Sequence, residues 1–410
     1  MAPNETDDTT TAGEVEEPRA GRRRAARYIV PVTVMGVAAA TIGLVPALAD
    51  SGDPDLPDIT AAQLIEKIAQ SDVERLSGTV KITTDLGLPD LGGLESGLLS
   101  GAADGEGGEG GSSADPSGRL TELASGTHTL RVAADGPDRQ KLSLLENAAE
   151  YSLIHNGKDV WGYDSASNEV YHATVDEADT KERSAQRPPA TPEDFAEEAL
   201  KAVDDTTSVK VDGTAQVAGR DAYRLVVEPK QSGSTVGAIS IAVDHETGMP
   251  LKFTLTPAGG GSAVVDVGFT KVSFDRPDAS TFRFTPPKGA KVTEDTEQDR
   301  AHGGFGGKPE RGPKPEEDLA KGLDGLRMLG EGWNTVATFD TGTGAGLPTE
   351  EAGGDLGGFL GSLGDQVKGD FGKGTVFSTR LVNALITEDG TVYVGTVTKD
   401  ALVKAAEAGK

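Results

Sequence analysis

Ile154–Ala173 reads IHNGKDVWGYDSASNEVYHA, and the reading of this stretch decides the fold. Asn156-Gly157 is a strong hairpin signal, because these residue types tolerate the positive φ of a tight turn, and Asp164–Asn168 supplies a second turn before Glu169. The flanking runs are short and rich in aromatic and β-branched residues, so they read as hairpins of an antiparallel sheet. The stretch holds no catalytic grouping. It does concentrate Trp161, Tyr163 and Tyr171 in a chain with only 2 tryptophans and 6 tyrosines among 410 residues.

The same alternation runs outward on both sides. Upstream lie THTLRVAAD with Leu130 and Val132, RQKLSLLE with Leu142 and Leu144, and EYSLIHNG with Tyr151 and Leu153. Earlier still, TVKITTDL carries Val80 and Ile82 on one face. Downstream, SVKVDGTAQVAGRDAYRLVVEP, AISIAVDHETGMPLKFTLTP, SAVVDVGFTKVSFD and STFRFTPP return to strands. Apolar residues at every second position give a sheet with one wet face and one apolar face. Two helices are expected beside it. ITAAQLIEKIAQ opens with a Thr60/Gln63 capping box and aligns Ala61, Leu64, Ile65 and Ile68, with Gly78 expected to end the helical region. The second helix begins at Thr191-Pro192-Glu193-Asp194 and turns Phe195, Ala199, Leu200 and Val203 to one side.

Residues 87–118 change character. Leu88, Leu91, Leu94 and Leu98 recur among glycines, which reads as an apolar flap, and a flexible Gly/Ser/Asp/Glu tract that cannot form a core follows. Residues 291–314 read as a Pro/Gly-rich linker. Residues 315–410 read as a small α/β module, with helices near Glu316–Met328, around Leu356–Val367 and from Lys399, and strands between them.

At the other end, Arg19, Arg22, Arg23, Arg24 and Arg27 precede an uncharged run from Tyr28 to Ala49. As a helix that run reaches roughly 33 Å, enough for a bilayer core. Pro46 with Ala47-Leu48-Ala49 also has the small-residue pattern of a signal-peptidase site. Residues 1–49 are therefore a signal peptide or a membrane anchor. In either case the arginines stay inside and the remainder is extracytoplasmic, secreted or held at the cell membrane. The chain has 66 Asp+Glu against 39 Lys+Arg, a net charge of −27, which opposes a nucleic-acid surface. It has 0 cysteines, so disulfides, thiolate catalysis, zinc-cysteine sites and a lipid-bearing cysteine are all excluded.

The order of helix, strand, long flap and hairpins, with NGKDVWGYDSASNEVY, a helix, VAGRDAYRLVVEP, VDHETGMPLKF and FRFTPPKGAKV, resembles the LolA-like lipoprotein-carrier superfamily, in its MucB/RseB-type and actinobacterial branches. The resemblance covers roughly Ile59 to Val292 and assigns residues 50–290 to the LolA-like lipid-binding domain. It implies an α+β fold: a half-open curled antiparallel sheet around an apolar cavity, plugged by helices and able to accept acyl chains. On that footing Leu64, Ile68, Val80, Ile82, Leu130, Val132, Leu142, Leu144, Tyr151, Leu153, Trp161 and Tyr163 are expected to line the cavity, and Leu88, Leu91, Leu94 and Leu98 to close it. The implied function is an exported carrier or chaperone for lipid or lipoprotein acyl chains. The alternative is an RseB-like lipid sensor that binds a membrane partner such as an anti-sigma factor, for which the extra C-terminal module speaks.

No enzyme or cofactor signature assembles. His128, His155, His172, His245 and His302 form no HExxH pair, Gly307-Lys308 lacks a P-loop start, Gly342, Gly344 and Gly346 stand outside a strand-turn-helix frame, and Ser362 has no nucleophile elbow. The expected protein is therefore not an enzyme and holds no cofactor or metal.

Overall fold

The computed structural model describes residues 54–87, 112–116, 119, 122–174, 190–294, 326–340 and 364–409. The segment Tyr28–Ala49 and the flap residues Leu88, Leu91, Leu94 and Leu98 lie outside these. Among the described residues, no helix is long and apolar enough to cross a membrane.

The chain runs through helix α1 (Ala61–Ala69), strands β1 (Arg75–Thr84), β2 (Gly126–Asp135), β3 (Arg139–Leu145), β4 (Glu150–Asn156), β5 (Asp159–Asp164) and β6 (Glu169–Thr174), and helix α2 (Pro192–Lys201). It continues through β7 (Thr207–Val217), β8 (Arg220–Pro229), β9 (Val236–Asp244), β10 (Pro250–Pro257), β11 (Val265–Ser273) and β12 (Lys291–Glu294). These strands form one 12-stranded sheet in the order β12-β6-β5-β4-β3-β2-β1-β11-β10-β9-β8-β7. Two meanders, β1 to β6 and β7 to β11, are thus joined by the antiparallel pairing of β1 with β11. The sheet is open and curled.

Local chemistry explains the elements. Thr60 and Gln63 form the expected capping box of α1, and Thr191 and Asp194 form that of α2 with Pro192 in its first turn. The β4–β5 hairpin pairs Asn156 with Asp159 across Gly157, whose φ is 66°. The β7–β8 hairpin pairs Val217 with Arg220 across Ala218 and Gly219, at φ 53° and 79°. Two consecutive positive φ values are the signature of the turn that matches strand twist.

Two expectations are corrected here. Gly78 does not end a helix: α1 stops at Ala69, and Gly78 lies inside β1. A Cβ on Gly78 would lie 2.5 Å from the Lys271 carbonyl oxygen, so glycine is what lets β11 approach beside the register shift at Thr79/Val80. Lys291–Glu294 are not linker. They pair in parallel with Glu169–His172 and form the sheet's edge, and Lys291 Nζ lies 2.9 Å from Glu169.

The C-terminal residues form a second sheet: β13 (Arg327–Leu329), β14 (Val336–Asp340), β15 (Asp365–Gly369), β16 (Gly372–Ser378), β17 (Asn383–Thr387) and β18 (Thr391–Gly395). The order is β13-β14-β18-β17-β16-β15 and every pairing is antiparallel. Helix α3 (Lys399–Ala408), capped by Thr398, buries Leu402 and Ala406 against Val336, Val376, Leu385 and Tyr393. The module is α+β, not α/β. Helix was expected through Met328 and Val367, but both are in strands, since Asp365–Val367 pair with Val376–Gly374 instead. In glycine-rich sequence helix propensity is weak, and cross-strand pairing prevails.

The two sheets are docked by directional bonds. Trp333 Nε1 donates to Thr207 Oγ1 at 2.9 Å, Thr235 N to the Thr396 carbonyl at 2.9 Å, and Thr398 N to the Gly233 carbonyl at 2.7 Å. Arg380 Nη1 reaches Asp85 Oδ2 at 2.6 Å.

Asp244, fully buried, anchors the β8–β9 end of the larger sheet. It accepts Arg220 Nε at 2.6 Å and Nη2 at 3.0 Å, and the Thr247 backbone N–H and hydroxyl, each at 2.8 Å. Burial alone would raise its pKa. The hydrogen bonds from Arg220 and Thr247 outweigh burial and hold it below the ordinary 3.8. A depressed carboxyl stabilises the fold above its unfolded pKa and loses that contribution as pH falls through its folded value. Asp244→Asn is therefore expected to cost about 1.5–3 kcal/mol at neutral pH. Urea unfolding of both proteins should show this gap narrowing only below the ordinary aspartate pKa.

Candidate functional site: the apolar inner face

Residues paired across strands share a face, so the registers trace the sheet's lining directly. One row runs Gly162, Leu153, Leu142, Val132, Gly78. The next runs Asp164, Tyr151, Leu144, Leu130, Val80 and on to Phe269. On the other meander the row Val267, Phe253, Ile241, Leu225, Val211 continues the same face. The inner face is therefore apolar from β4 to β7.

This face is covered. Val80, Leu130, Leu225 and Ile241 are 0% exposed. Leu64 of α1 and Ala196 and Ala199 of α2 pack with Tyr223, Leu225, Ile239, Ile241 and Phe253 in one cluster. Val80, Ile82, Leu130, Leu144, Tyr151 and Leu153 belong to a second cluster, with Val132 and Leu142 packed against it. Phe195 of α2 touches both and lies 5.3 Å, ring to ring, from Phe253. Ile68 packs partly buried with Leu64.

Ten of the twelve expected lining residues thus lie on or against the inner face. Trp161 and Tyr163 correct the expectation. They pair with Ile154 and Ser152, so they project from the opposite face, while Gly162 between them faces inward. Trp161 stacks on His172 at 3.7 Å, and Phe284 lies 5.5 Å from Trp161 and 5.6 Å from Tyr163. Tyr171, by contrast, is inward and buried. The inner-face residues of β8–β10, together with Phe195, Ala196 and Ala199, were missing from the expected set. Their signal was the alternation in AYRLVVEP and AISIAVD, which places Tyr223, Leu225 and Val227, and Ile239, Ile241 and Val243, in step.

The end of the flap region is packed too. Ala114 is fully buried, although the tract to residue 118 was expected to form no core. Its carbonyl accepts the Tyr151 hydroxyl at 3.1 Å, and it crosses Gly162 so closely that a Cβ there would lie 2.3 Å from the Ala114 oxygen. Burial pushes the Tyr151 phenol far above its ordinary pKa. The Glu169 carboxylate holds the same segment through Ser113 N at 2.9 Å, and Arg119 Nη2 binds Asp164 at 2.7 Å. The hydrogen bond from Lys291, then those from Ser113, lower the Glu169 pKa to about 2. Among the described residues, no group of three or more His, Cys, Asp or Glu could hold a metal ion.

No family model matches the chain, and no curated protein matches it either. Among solved structures, the complex of MucA and MucB from Pseudomonas aeruginosa is similar, with 16% identity over 84% of this chain and 96% of that one and a TM-score of 0.36. A LolA superfamily protein from Nitrosomonas europaea is similar over 55% of this chain and 99% of that one, with 11% identity and a TM-score of 0.21. These likenesses concern fold alone.

Two outcomes follow from the Ala114 clamp. Gly162→Ala should displace the segment, lowering stability by about 1–3 kcal/mol through overpacking, and should speed limited proteolysis near Arg119. The Glu169 tether contributes fully above the ordinary glutamate value of 4.5 and is lost as pH falls through about 2. Carboxyl NMR should therefore find Glu169 still ionised at pH 3.5.

Proposed function

We propose that the chain is an exported, non-enzymatic protein that binds lipid or lipoprotein and shields acyl chains against the inner face of the larger sheet. The observation that carries this reading is the continuous apolar face of an open sheet, which among the described residues is covered by α1 and α2 on the β7–β11 side and by the Ala114 segment on the other, and not by a second sheet. Here the cover is α1, α2 and the Ala114 segment, pieces small enough to shift while the strands stay paired. Acyl chains then replace the helices' apolar contacts, and no charged site is required. The Arg-rich start and the apolar run Tyr28–Ala49 support export, and the LolA-like resemblance points the same way.

A second reading is favoured by the docked C-terminal module. It makes the protein a lipid sensor whose occupancy alters its grip on a membrane partner such as an anti-sigma factor. Trp333 packs against the cluster that holds α1 and α2, so displacement of either helix reaches the module through one contact. Co-purification of membrane proteins with lipid-loaded and lipid-stripped full-length chain separates the two readings: a sensor changes partners with loading, and a carrier does not.

Acyl burial has a quantitative signature. Each methylene removed from water contributes about 0.8 kcal/mol, or about fourfold in affinity. Displacement of a fluorescent fatty acid by saturated fatty acids of increasing length should show that step until the face is filled. A flat dependence on length, together with protein free of lipid by native mass spectrometry after purification from its host, would sink the reading.

A further inference from the structure

One end of the larger sheet carries a cationic cluster that acyl burial does not use. Asp135 closes β2, Arg75 opens β1 directly opposite it, Arg139 opens β3, and Arg276 follows the end of β11. The buried Asp135 carboxylate meets Arg75 Nε through Oδ1 at 3.3 Å. Its Oδ2 meets both Arg139 Nη2, at 2.7 Å, and Arg276 Nε, at 3.1 Å.

Three guanidinium groups are thus gathered on one carboxylate. Among the described residues, Asp135 is the only carboxylate within ion-pair distance of any of them, so the cluster holds a surplus of two positive charges in a chain of net charge −27. One arginine would neutralise Asp135, and each further one adds repulsion between like charges that a second anion would relieve. The donors for that anion are in place. Arg75 and Arg276 turn Nε toward Asp135, and their terminal nitrogens form no hydrogen bond with a described residue. Their side chains are 54% and 59% exposed, so these forks remain open to a ligand, and a guanidinium fork matches the oxygens of a phosphate.

The position points to what the phosphate is attached to. Leu76, beside Arg75, and Phe274, two residues before Arg276, pack against the inner-face cluster, as does Val73. The arginines therefore stand at the rim where the apolar face ends, and a lipid with its chains on that face brings its head group out beside them.

We infer that Arg75, Arg139 and Arg276 bind a phosphate monoester, whose charge near neutral pH approaches the two that the cluster has in surplus. An acidic peptide spreads single charges along a chain, whereas these three groups converge on one point. A lipid phosphate is the source that the rim favours. That source rests on the acyl-binding reading of the inner face, and the anion site itself does not.

The test is calorimetric titration of the full-length protein with dioctanoyl phosphatidic acid, dioctanoylglycerol, glycerol phosphate and hexaglutamate. Phosphatidic acid should bind at least tenfold more tightly than dioctanoylglycerol. Arg75→Gln/Arg276→Gln, which leaves Arg139 to meet Asp135, should remove that difference, with near-UV circular dichroism reporting whether the pair is folded. Arg276→Gln alone lies outside every strand and should lose at least threefold in affinity for phosphatidic acid. Glycerol phosphate distinguishes the sources: weaker binding than phosphatidic acid assigns the lipid, and equal binding that the arginine variants lose assigns a soluble phosphate. The inference is overturned by hexaglutamate binding as tightly as the phosphates, by unchanged phosphate affinity in the variants, or by no binding of glycerol phosphate together with no preference for phosphatidic acid over dioctanoylglycerol. Failure of the inner-face reading looks different, since dioctanoylglycerol would then not bind while glycerol phosphate still would.

Discussion

The antiparallel pairing of β1 with β11 is the contact on which the rest of the larger sheet depends. It brings together strands in which the Thr270 hydroxyl donates to the Thr79 carbonyl across 191 positions of sequence, and it fuses two locally formed meanders into one surface. Hairpins such as β4–β5 close small loops and form cheaply. The β1–β11 pairing closes a loop that spans most of the domain, and its entropic cost must be met before any of its contacts form. What offsets that cost is the apolar face itself. Val80, Ile82, Val267 and Phe269 meet across the seam, and only then do Leu130 and Leu144 on one side share a face with Ile241 and Leu225 on the other. Gly78 serves the same seam by leaving room for the Lys271 carbonyl.

Much of this was legible in the sequence. The hairpins, the two capped helices and most of the inner lining follow from turn residues, capping pairs and period-two alternation, all of which act over a few residues. The misplacement of Trp161 and Tyr163 has a simple cause. In a hairpin with a two-residue turn, paired positions sum to an odd number, so Leu153 must face the same way as Gly162 and opposite to Trp161. Size and apolarity pointed inward and parity pointed outward; parity decides, because a slip of one residue would turn every side chain over. The inward glycine then makes room for Ala114, a contact between distant segments that no local pattern announces. The strand Lys291–Glu294 was hidden for the same reason, since a parallel edge strand needs no turn beside it and little apolar content.

The two faces separate two kinds of chemistry. Inside, contact is apolar, and the polar groups at its margin, the buried Asp164 and Tyr151 hydroxyl and the half-buried Glu169, are satisfied by Arg119, Ala114 and Ser113. Outside, hydroxyls and charged groups lie beside the aromatic cluster of Trp161, Tyr163 and Phe284. A chain without a single cysteine holds this arrangement by burial, by the Arg220–Asp244 clamp and by Asp135, which three arginines, Arg75, Arg139 and Arg276, meet at 3.3, 2.7 and 3.1 Å. The C-terminal sheet adds its own core and fastens onto the larger sheet through Trp333, Thr396, Thr398 and Arg380.

The central claim is that acyl chains occupy the inner face, and the position of a bound chain can be read directly. Methyl NMR of the full-length protein with a stearate that carries a nitroxide near its tail reports which side chains lie beside that tail. The account predicts that the methyl signals of Leu144, Leu153, Leu225 and Ile241 broaden first and that Ile154, on the outer face, stays sharp. Broadening of Ile154 ahead of the inner-face methyls, or no selective broadening at all, would contradict it.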